Sequence, residues 1–226
     1  GLVPDDIAAK VQVIKDKIIA GTLHVPVITE PTTDNTILTT EDVAADAGKG
    51  LRVALILPGH ISDQSFNATA YDGLMAIKEK LGCEVSYAEA VPVAEYDETY
   101  RDYSQKGYDV IIGHGFEFGE PAARIAPEYP DIKYLVTNGN VSGPNLASLE
   151  PVFEEAGYLV GAVAGYMTQS NKVAAVGGMK FPIIVRGIEA FAAGAKAVNP
   201  KCEAKTVYIG TLDDPAKGKE AALAQI

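Results

Sequence analysis

From residue 51 onward, short apolar segments alternate with longer segments of helical periodicity, and this alternation restricts the fold more than any other feature. The first apolar run, residues 52–57, ends at Pro58-Gly59, which is typical of a strand buried on both faces. Further strands are predicted at 85–88, 108–112, 133–136, 172–176 and 204–209, and helices at 65–81, 95–106, 119–128, 152–168, 183–198 and 215–225. Repeated units of this kind predict an α/β fold with a mostly parallel, doubly wound sheet.

The first 50 residues do not continue this alternation. An amphipathic helix is predicted between Pro4 and Gly21, with an apolar face made by Ile7, Val11, Ile14 and Ile18. Residues 23–28 are predicted as a short strand, which Pro26 would confine to the edge of a sheet. Residues 29–50 are acidic and rich in Thr, Asp and Gly, so we expect a solvated linker or, equally, an irregular surface loop.

Composition argues against several kinds of partner. The 226 residues include 19 Lys or Arg and 30 Asp or Glu, so the formal net charge is −11 and nucleic acid is not an expected partner. No apolar run reaches the roughly 18 residues that a membrane-spanning helix needs. Cys83 and Cys202 are far apart in the sequence, which favours two buried apolar side chains over a disulfide framework or a cysteine metal site.

Tyr96, Tyr100 and Tyr103 are spaced by four and three residues, which is typical of the core-facing side of a helix.

The loops that follow the predicted strands combine glycine, polar residues and phenylalanine. They read PGHISDQSF, GHGFEFG, TNGNVSG and GGMKF. In open parallel sheets, ligands bind outside the carboxyl ends of the strands. Glycine lets the backbone approach a ligand, and phenylalanine can stack on a flat heterocycle. Together these loops predict a site for an aromatic, polar small molecule, although each alone is also explained by the geometry of strand–helix turns.

Catalytic and metal-binding patterns are weak. The sequence has no GxxxxGK[ST] and no GxGxxG after the first strand, and Ser65 lacks the flanking glycines of a nucleophile elbow. Ser65 or Asn67 is instead expected to cap the following helix. His60 and His114 could converge with Asp63 and Glu117 on a metal, but hydrogen bonding within the loops is the favoured interpretation. We therefore predict no catalytic residue, no metal and no cofactor.

Five segments carry a family resemblance. In chain order they are GHISDQSFNATAYDGL, YDVIIGHGFEFGEPAARIAPEYPDIKY, GYLVGAVAGYM, VAAVGGMKFPII and GTLDDPAKGKEAAL. Together, residues 51–226 resemble the basic membrane protein (BMP) family of bacterial solute-binding lipoproteins, which serve ABC importers and include purine nucleoside receptors. The resemblance implies a type I periplasmic-binding-protein-like fold of two doubly wound parallel-sheet lobes. Residues 51–149 would then form the first lobe and residues 150–226 part of the second.

The N-terminal segment resembles the same family out of order. Residues 1–28 look like the C-terminal helix and final strand of the family, and residues 29–50 would link them to the first lobe. A circularly permuted gene, a tandem fusion and a fragment of a longer protein all explain this order, and part of the second lobe is missing in each case. The acids and the lysine with which the family holds a ribose would fall in that missing stretch, and a second chain or copy could complete the fold.

The resemblance also implies a set of binding residues. They are Asp63, Ser65, Phe66 and Asn67 in the SFN loop, Gly115 and Phe116 in the second loop, Gly178, Met179 and Phe181 in the GGM loop, with Asn138 in the third loop and His60 as an additional hydrogen-bond donor. Asn138 stands where relatives usually carry aspartate, which leaves the exact ligand open. Phe66 and Phe181 are expected to face each other across an interlobe cleft.

The function implied is that of a solute-binding receptor of an ABC importer, for a purine nucleoside or a similar small solute. Its partner would be an ABC permease, and the full-length protein would be extracytoplasmic and lipid-anchored. The same fold could also serve as a ligand-sensing regulatory domain, which is the second hypothesis. An enzyme that processes a small molecule is the third.

Overall fold

A computed structural model describes residues 3–25, 46–212 and 214–226. The described chain divides into two compact units. Residues 46–151 form one unit, here called the five-stranded unit, and residues 3–25 with 152–226 form the other, called the two-stranded unit.

The sheet of the five-stranded unit is entirely parallel. Its strands are β1 (Arg52–Ile56), β2 (Glu84–Ala88), β3 (Val110–His114), β4 (Lys133–Thr137) and β5 (Leu146–Leu149). They lie in the order β2-β1-β3-β4-β5. The chain therefore moves from β1 to one side of the sheet and returns to the other side at β3, so the strand order reverses between these two strands.

Helices cover the sheet from both faces. They are α2 (Phe66–Leu81), α3 (Tyr96–Gln105) and α4 (Gly119–Ile125). Successive residues of β1 enter two different cores, because side chains alternate along a strand. Val53 and Leu55 pack with Leu74 of α2, whereas Ala54 and Ile56 belong to the core that holds α3 and α4. This arrangement confirms the doubly wound α/β fold predicted for the first lobe.

The aromatic face of α3 lies in the core, as predicted. Tyr96, Tyr100 and Tyr103 are all buried. Buried tyrosine hydroxyls need hydrogen-bond partners, and the core supplies them: the Tyr100 hydroxyl donates to the Phe118 carbonyl at 3.5 Å, and Ser104 lies 2.6 Å from the hydroxyl of Tyr134 on β4.

The two-stranded unit contains four helices and a parallel strand pair. Its elements are α1 (Asp5–Ile19), α5 (Phe153–Met167), β6 (Lys172–Gly177), α6 (Pro182–Val198), β7 (Glu203–Tyr208) and α7 (Pro215–Leu223). Helix α1 packs on α5, since Ile18 is buried against Tyr158 and Ile14 packs beside it. The predicted apolar face of α1 is therefore confirmed at these two positions.

Residues 23–25 are not in a strand, and the rest of the predicted strand, 26–28, lies outside the described residues, as does the predicted linker from 29 to 45. Residues 46–50 form turns, in which the Gly48 amide donates to the Leu81 carbonyl at 2.9 Å; Gly48 is buried and the other four residues are exposed. The choice between a linker and a surface loop for residues 29–50 stays a prediction. Both cysteines are free and buried, as expected.

Candidate functional site

The carboxyl ends of β1 and β3 mark the point where the strand order reverses. A crevice opens at such a point, because the two chain segments leave toward opposite faces of the sheet. The loop after β1 leads to Phe66, the first residue of α2, while β3 ends at His114. The fold therefore brings the first two predicted binding loops together at this edge.

Asp63 organises the loop after β1. Its carboxylate accepts hydrogen bonds from the backbone N–H groups of Ser65 at 2.9 Å, Asn67 at 2.9 Å and Ala68 at 3.0 Å. These backbone bonds, that from Asn67 foremost, hold the pKa of Asp63 well below its usual range. The Asp63 carboxylate thus caps α2. Ser65 is the N-cap residue of α2, as predicted, but its side chain makes no capping bond, and the carboxylate of Asp63 supplies the bonds instead.

Asn67 joins the two ends of the same loop. Its side chain is buried, accepting from the Gly59 amide at 3.2 Å and donating to Asp63 at 2.8 Å. A Cβ at Gly59 would overlap the Asn67 amide, which explains the glycine at that position. The polar atoms of Asp63 and Asn67 are therefore engaged within the loop, and a contact of either residue with a solute stays a prediction.

Phe66 lies against the imidazole of His114. The ring centroids are 3.8 Å apart and the planes are inclined by 30°. The His114 Nε2 lies 3.0 Å from the Phe66 carbonyl, and its Nδ1 lies 2.7 Å from the Thr137 hydroxyl. His114 is 8% exposed, whereas Phe66 is 39% exposed. One face of the phenyl ring is thus stacked on His114, and part of the Phe66 side chain remains accessible to solvent.

The hydrogen bonds of His114 place a hydrogen on Nε2. A carbonyl oxygen only accepts, so Nε2 donates to Phe66. The Thr137 hydroxyl donates to Nδ1 of a neutral imidazole and would accept from Nδ1–H of a protonated one. Burial lowers the pKa of His114, and the bond to Phe66 and the charge of Asp63 oppose this effect.

The loop after β3 holds a second acidic side chain. Gly115 has φ 136°, a conformation that favours glycine, and its amide donates to the Thr137 carbonyl at 3.2 Å. Glu117 follows, and burial raises its pKa. Burial and the nearby Glu117 charge raise the pKa of Tyr96 to about 12. Phe116 is half-buried, whereas Phe118 is a core residue stacked on Tyr96.

The other predicted residues of the five-stranded unit are more peripheral. The His60 side chain is 69% exposed, with its Nδ1 3.6 Å from a Glu89 carboxylate oxygen. Asn138 directly follows β4 with φ 57°, a left-handed conformation that asparagine and aspartate tolerate. The backbone N–H of Asn138 donates to the Leu149 carbonyl at 2.7 Å. The turn after β4 therefore favours either residue, whatever its role toward a ligand.

The GGM loop belongs to the two-stranded unit. The Gly178 carbonyl accepts from the Gly210 amide at 3.0 Å, which ties the loops after β6 and β7 together. A Cβ at Gly178 would overlap Leu212. Met179 is half-buried, and Phe181 immediately precedes α6, where its carbonyl begins the helix. Because Phe66 and Phe181 lie in different units, their facing each other stays a prediction.

Three residues of the site were absent from the predicted binding set, namely Glu117, His114 and Thr137. His114 and Thr137 end neighbouring strands and are paired in register. Aligning the carboxyl ends of the third and fourth predicted strands would have placed them side by side, since such ends meet at one edge of a sheet.

Within residues 3–25, 46–212 and 214–226, no cluster of three or more His, Cys, Asp or Glu side chains could hold a metal ion. No helix in this part of the chain is long and apolar enough to cross a membrane.

Comparison with known proteins assigns the family. The family of PnrA-like ABC transporter substrate-binding proteins (Bmp) matches residues 51–226. The chain belongs to this family. The PnrA-like family consists of substrate-binding proteins, so the predicted resemblance to basic membrane proteins is confirmed. The likeness of residues 1–28 to the end of the family fold lies outside the match and stays a prediction.

Individual PnrA-like relatives carry different ligand names. The chain is 29% identical over 199 residues to the "putative ABC transporter glucose-binding protein TsgA13" of Haloferax volcanii, covering 88% of this chain and 51% of that protein. It is 29% identical over 192 residues to the "ABC transporter nucleoside-binding protein BmpA" of Lactococcus lactis, covering 81% of this chain and 55% of the relative. The chain thus spans about half the length of these relatives.

A solved structure supports the fold. The chain resembles an ABC transporter solute-binding protein of Aeropyrum pernix with a TM-score of 0.69 and 29% identity, over 76% of this chain and 51% of that one. The predicted fold class, an α/β type I solute-binding fold, is confirmed.

Proposed function

We propose that this chain is the solute-binding part of an ABC import receptor and that its ligand is a purine nucleoside or a closely related heterocycle. The observation that supports this most is the ring of Phe66, which is backed by His114 and exposed at the edge where the strand order reverses. Ligands of parallel sheets bind at that edge. An aromatic face there suits a flat base better than a sugar without a base.

The polar groups in the loops after β1 and β3 are of two kinds. Asp63 and Asn67 hold the loop in shape through bonds already described, so in this proposal they orient Phe66 rather than read the solute. Glu117 is half-buried in the adjoining loop, and its carboxylate is the group we assign to hydrogen bonding with the solute. The permease as partner and an extracytoplasmic, lipid-anchored location follow from the receptor role and are part of the same proposal.

Calorimetry on the protein in its full natural length tests the proposal. The titrants are adenosine, inosine, guanosine and D-glucose, the last because one relative is named for glucose. We expect a purine nucleoside to bind and Phe66→Ala to weaken binding by about 1–3 kcal/mol, the range of a stack between an aromatic side chain and a base. The measured quantity is the dissociation constant.

Phe153→Ala serves as a matched control. Phe153 is also an exposed phenylalanine at the first residue of a helix, but it lies in the two-stranded unit and outside the candidate set. Its substitution should leave the dissociation constant unchanged. Binding of glucose without any nucleoside binding, or unchanged affinity in Phe66→Ala, would contradict the proposed function.

A further inference from the structure

We infer that His114 is a positioning residue that sets the orientation of the Phe66 ring. This inference rests on the proposed function of Phe66 as the surface on which a heterocycle stacks. It concerns how the free protein prepares that surface before a solute arrives.

His114 restrains Phe66 at two points. The imidazole covers one face of the phenyl ring at a centroid distance of 3.8 Å, and Nε2–H donates to the backbone carbonyl of the same residue at 3.0 Å. One contact acts on the side chain and the other on the main chain at the start of α2. Because 39% of Phe66 is exposed, packing by the rest of the protein restrains its ring less than it would in a core.

His114 can restrain Phe66 because the sheet holds the His114 side chain in place. It is the last residue of β3 in the middle of the sheet, and it is buried. Thr137, its register partner on β4, holds Nδ1 at 2.7 Å and thereby sets the ring rotation. Groups anchored on strands hold a binding geometry better than groups on loops. Thr137 thus restrains the His114 ring, and His114 in turn restrains Phe66.

The role differs from general support of the fold. In an α-helix the carbonyl of the first residue also accepts from the amide four residues later, so the Phe66 carbonyl keeps a partner when His114 is replaced. The start of α2 is further held by the Asp63 cap, which does not involve His114. Replacement of His114 should therefore release the ring and leave the helix in place.

Two readouts on the full-length protein test this role. Nuclear magnetic resonance with labelled phenylalanine reports the χ1 rotamer of Phe66 in the free protein, and calorimetry with adenosine and inosine reports affinity. The variants are His114→Gln, which retains a donor and removes the ring, and Thr137→Val, which removes the anchor and leaves both rings. His24→Gln, an exposed histidine in the two-stranded unit, is the matched control.

We expect one Phe66 rotamer in the unmodified protein and in His24→Gln, and averaged rotamers in His114→Gln and Thr137→Val. Affinity should fall by about twofold to tenfold in both variants, the cost of restraining one side chain during binding. In a Phe66→Ala background, His114→Gln should have no further effect, because a residue that acts through Phe66 cannot act without it.

A single Phe66 rotamer in both variants would overturn the inference, as would additive losses in the double variant. If His114→Gln does not fold, the rotamer in Thr137→Val decides alone. If neither nucleoside binds the unmodified protein, the proposed function fails, while the rotamer measurement still decides whether His114 positions Phe66.

Discussion

The carboxylate of Asp63 accepts three backbone N–H groups and one side-chain N–H, all from residues 65–68. The chain reaches this geometry because Gln64 adopts φ 54°, which turns the backbone so that the following amides point back at residue 63. The sequence placed Asp63 at the binding edge through its family resemblance. It did not show that the acceptor positions of the carboxylate are occupied locally, because that depends on the left-handed turn at Gln64.

Replacing Asp63 by asparagine should destabilise the five-stranded unit at neutral pH. The folded state holds the pKa of Asp63 below its unfolded value, so the stabilisation is present above about pH 4 and is lost as pH falls toward the folded pKa. We expect urea unfolding midpoints to differ between the two proteins at pH 7 and to converge at low pH. Asp72→Asn, an exposed position in the same helix, is the control. A difference that does not change with pH would contradict the cap.

The buried His114 predicts a second pH dependence. Burial lowers its pKa below the unfolded value of about 6.5. The unfolded chain therefore takes up a proton first as pH falls, and the unfolding free energy should decrease as pH falls through about 6.5 toward the lower pKa of the folded state.

Comparison of His114→Gln with His24→Gln isolates this effect. The other titratable groups at this edge, Asp63 and Glu117, remain in both variants and cancel in the difference. We expect the slope of unfolding free energy against pH, followed by amide exchange in β1 and β3, to be smaller in His114→Gln. Equal slopes would mean that His114 does not titrate differently on folding.

At the scale of elements, the contact between α5 and α6 depends on small residues. Gly157, Gly161 and Gly165 recur every four residues on α5 and face the backbone of α6. Residues four apart share one face of a helix, so these glycines form one strip along which the two backbones approach closely. Across the same contact, Arg186 donates to Glu154 at 2.6 Å in a buried ion pair. The sequence showed the small residues of α5 but not the helix that they accommodate.

Gly161→Ala should destabilise the two-stranded unit by about 1–3 kcal/mol, the usual cost of overpacking. A Cβ at this position would overlap the Phe191 carbonyl, so the helices would have to separate. Gly73→Ala in α2 is the matched control. A Cβ there meets no atom within 4 Å, and we expect a gain of about 0.4–1 kcal/mol from the lower entropy of the unfolded chain. Chemical denaturation of both variants checks the opposite signs.

At the scale of the whole molecule, the two units are unequal. The sheet of the first unit has five described strands, whereas the described part of the other unit contains only β6 and β7. Each of these strands has one edge without a strand neighbour among the described residues, and Ala174 and Val176 on β6 are exposed. Unpaired strand edges readily accept another chain, which is the physical basis for expecting a second chain or copy.

The 226-residue chain should therefore self-associate. We expect light scattering after size exclusion to give a mass above 23.8 kDa that rises with concentration. Val176→Lys places a charge beside the open edge and should shift the equilibrium toward the monomer, because charged residues protect strand edges. A monomer at all concentrations that also binds nucleoside tightly would contradict the prediction.

The sequence by itself determined all but one of the strands and the main helices from residue 51, the parallel doubly wound sheet, the buried tyrosine face of α3 and the family, because each depends on local periodicity or on motifs read in order. It did not identify β5, where only Leu146 is buried and no apolar run marks the strand. Tertiary structure alone decided that His114 backs Phe66, and that Asp63 and Asn67 are engaged within their own loop. The Phe66–His114 contact joins residues 48 positions apart through the order and register of β1, β3 and β4. Strand order and register are set by the packing of the entire sheet, which no local pattern encodes.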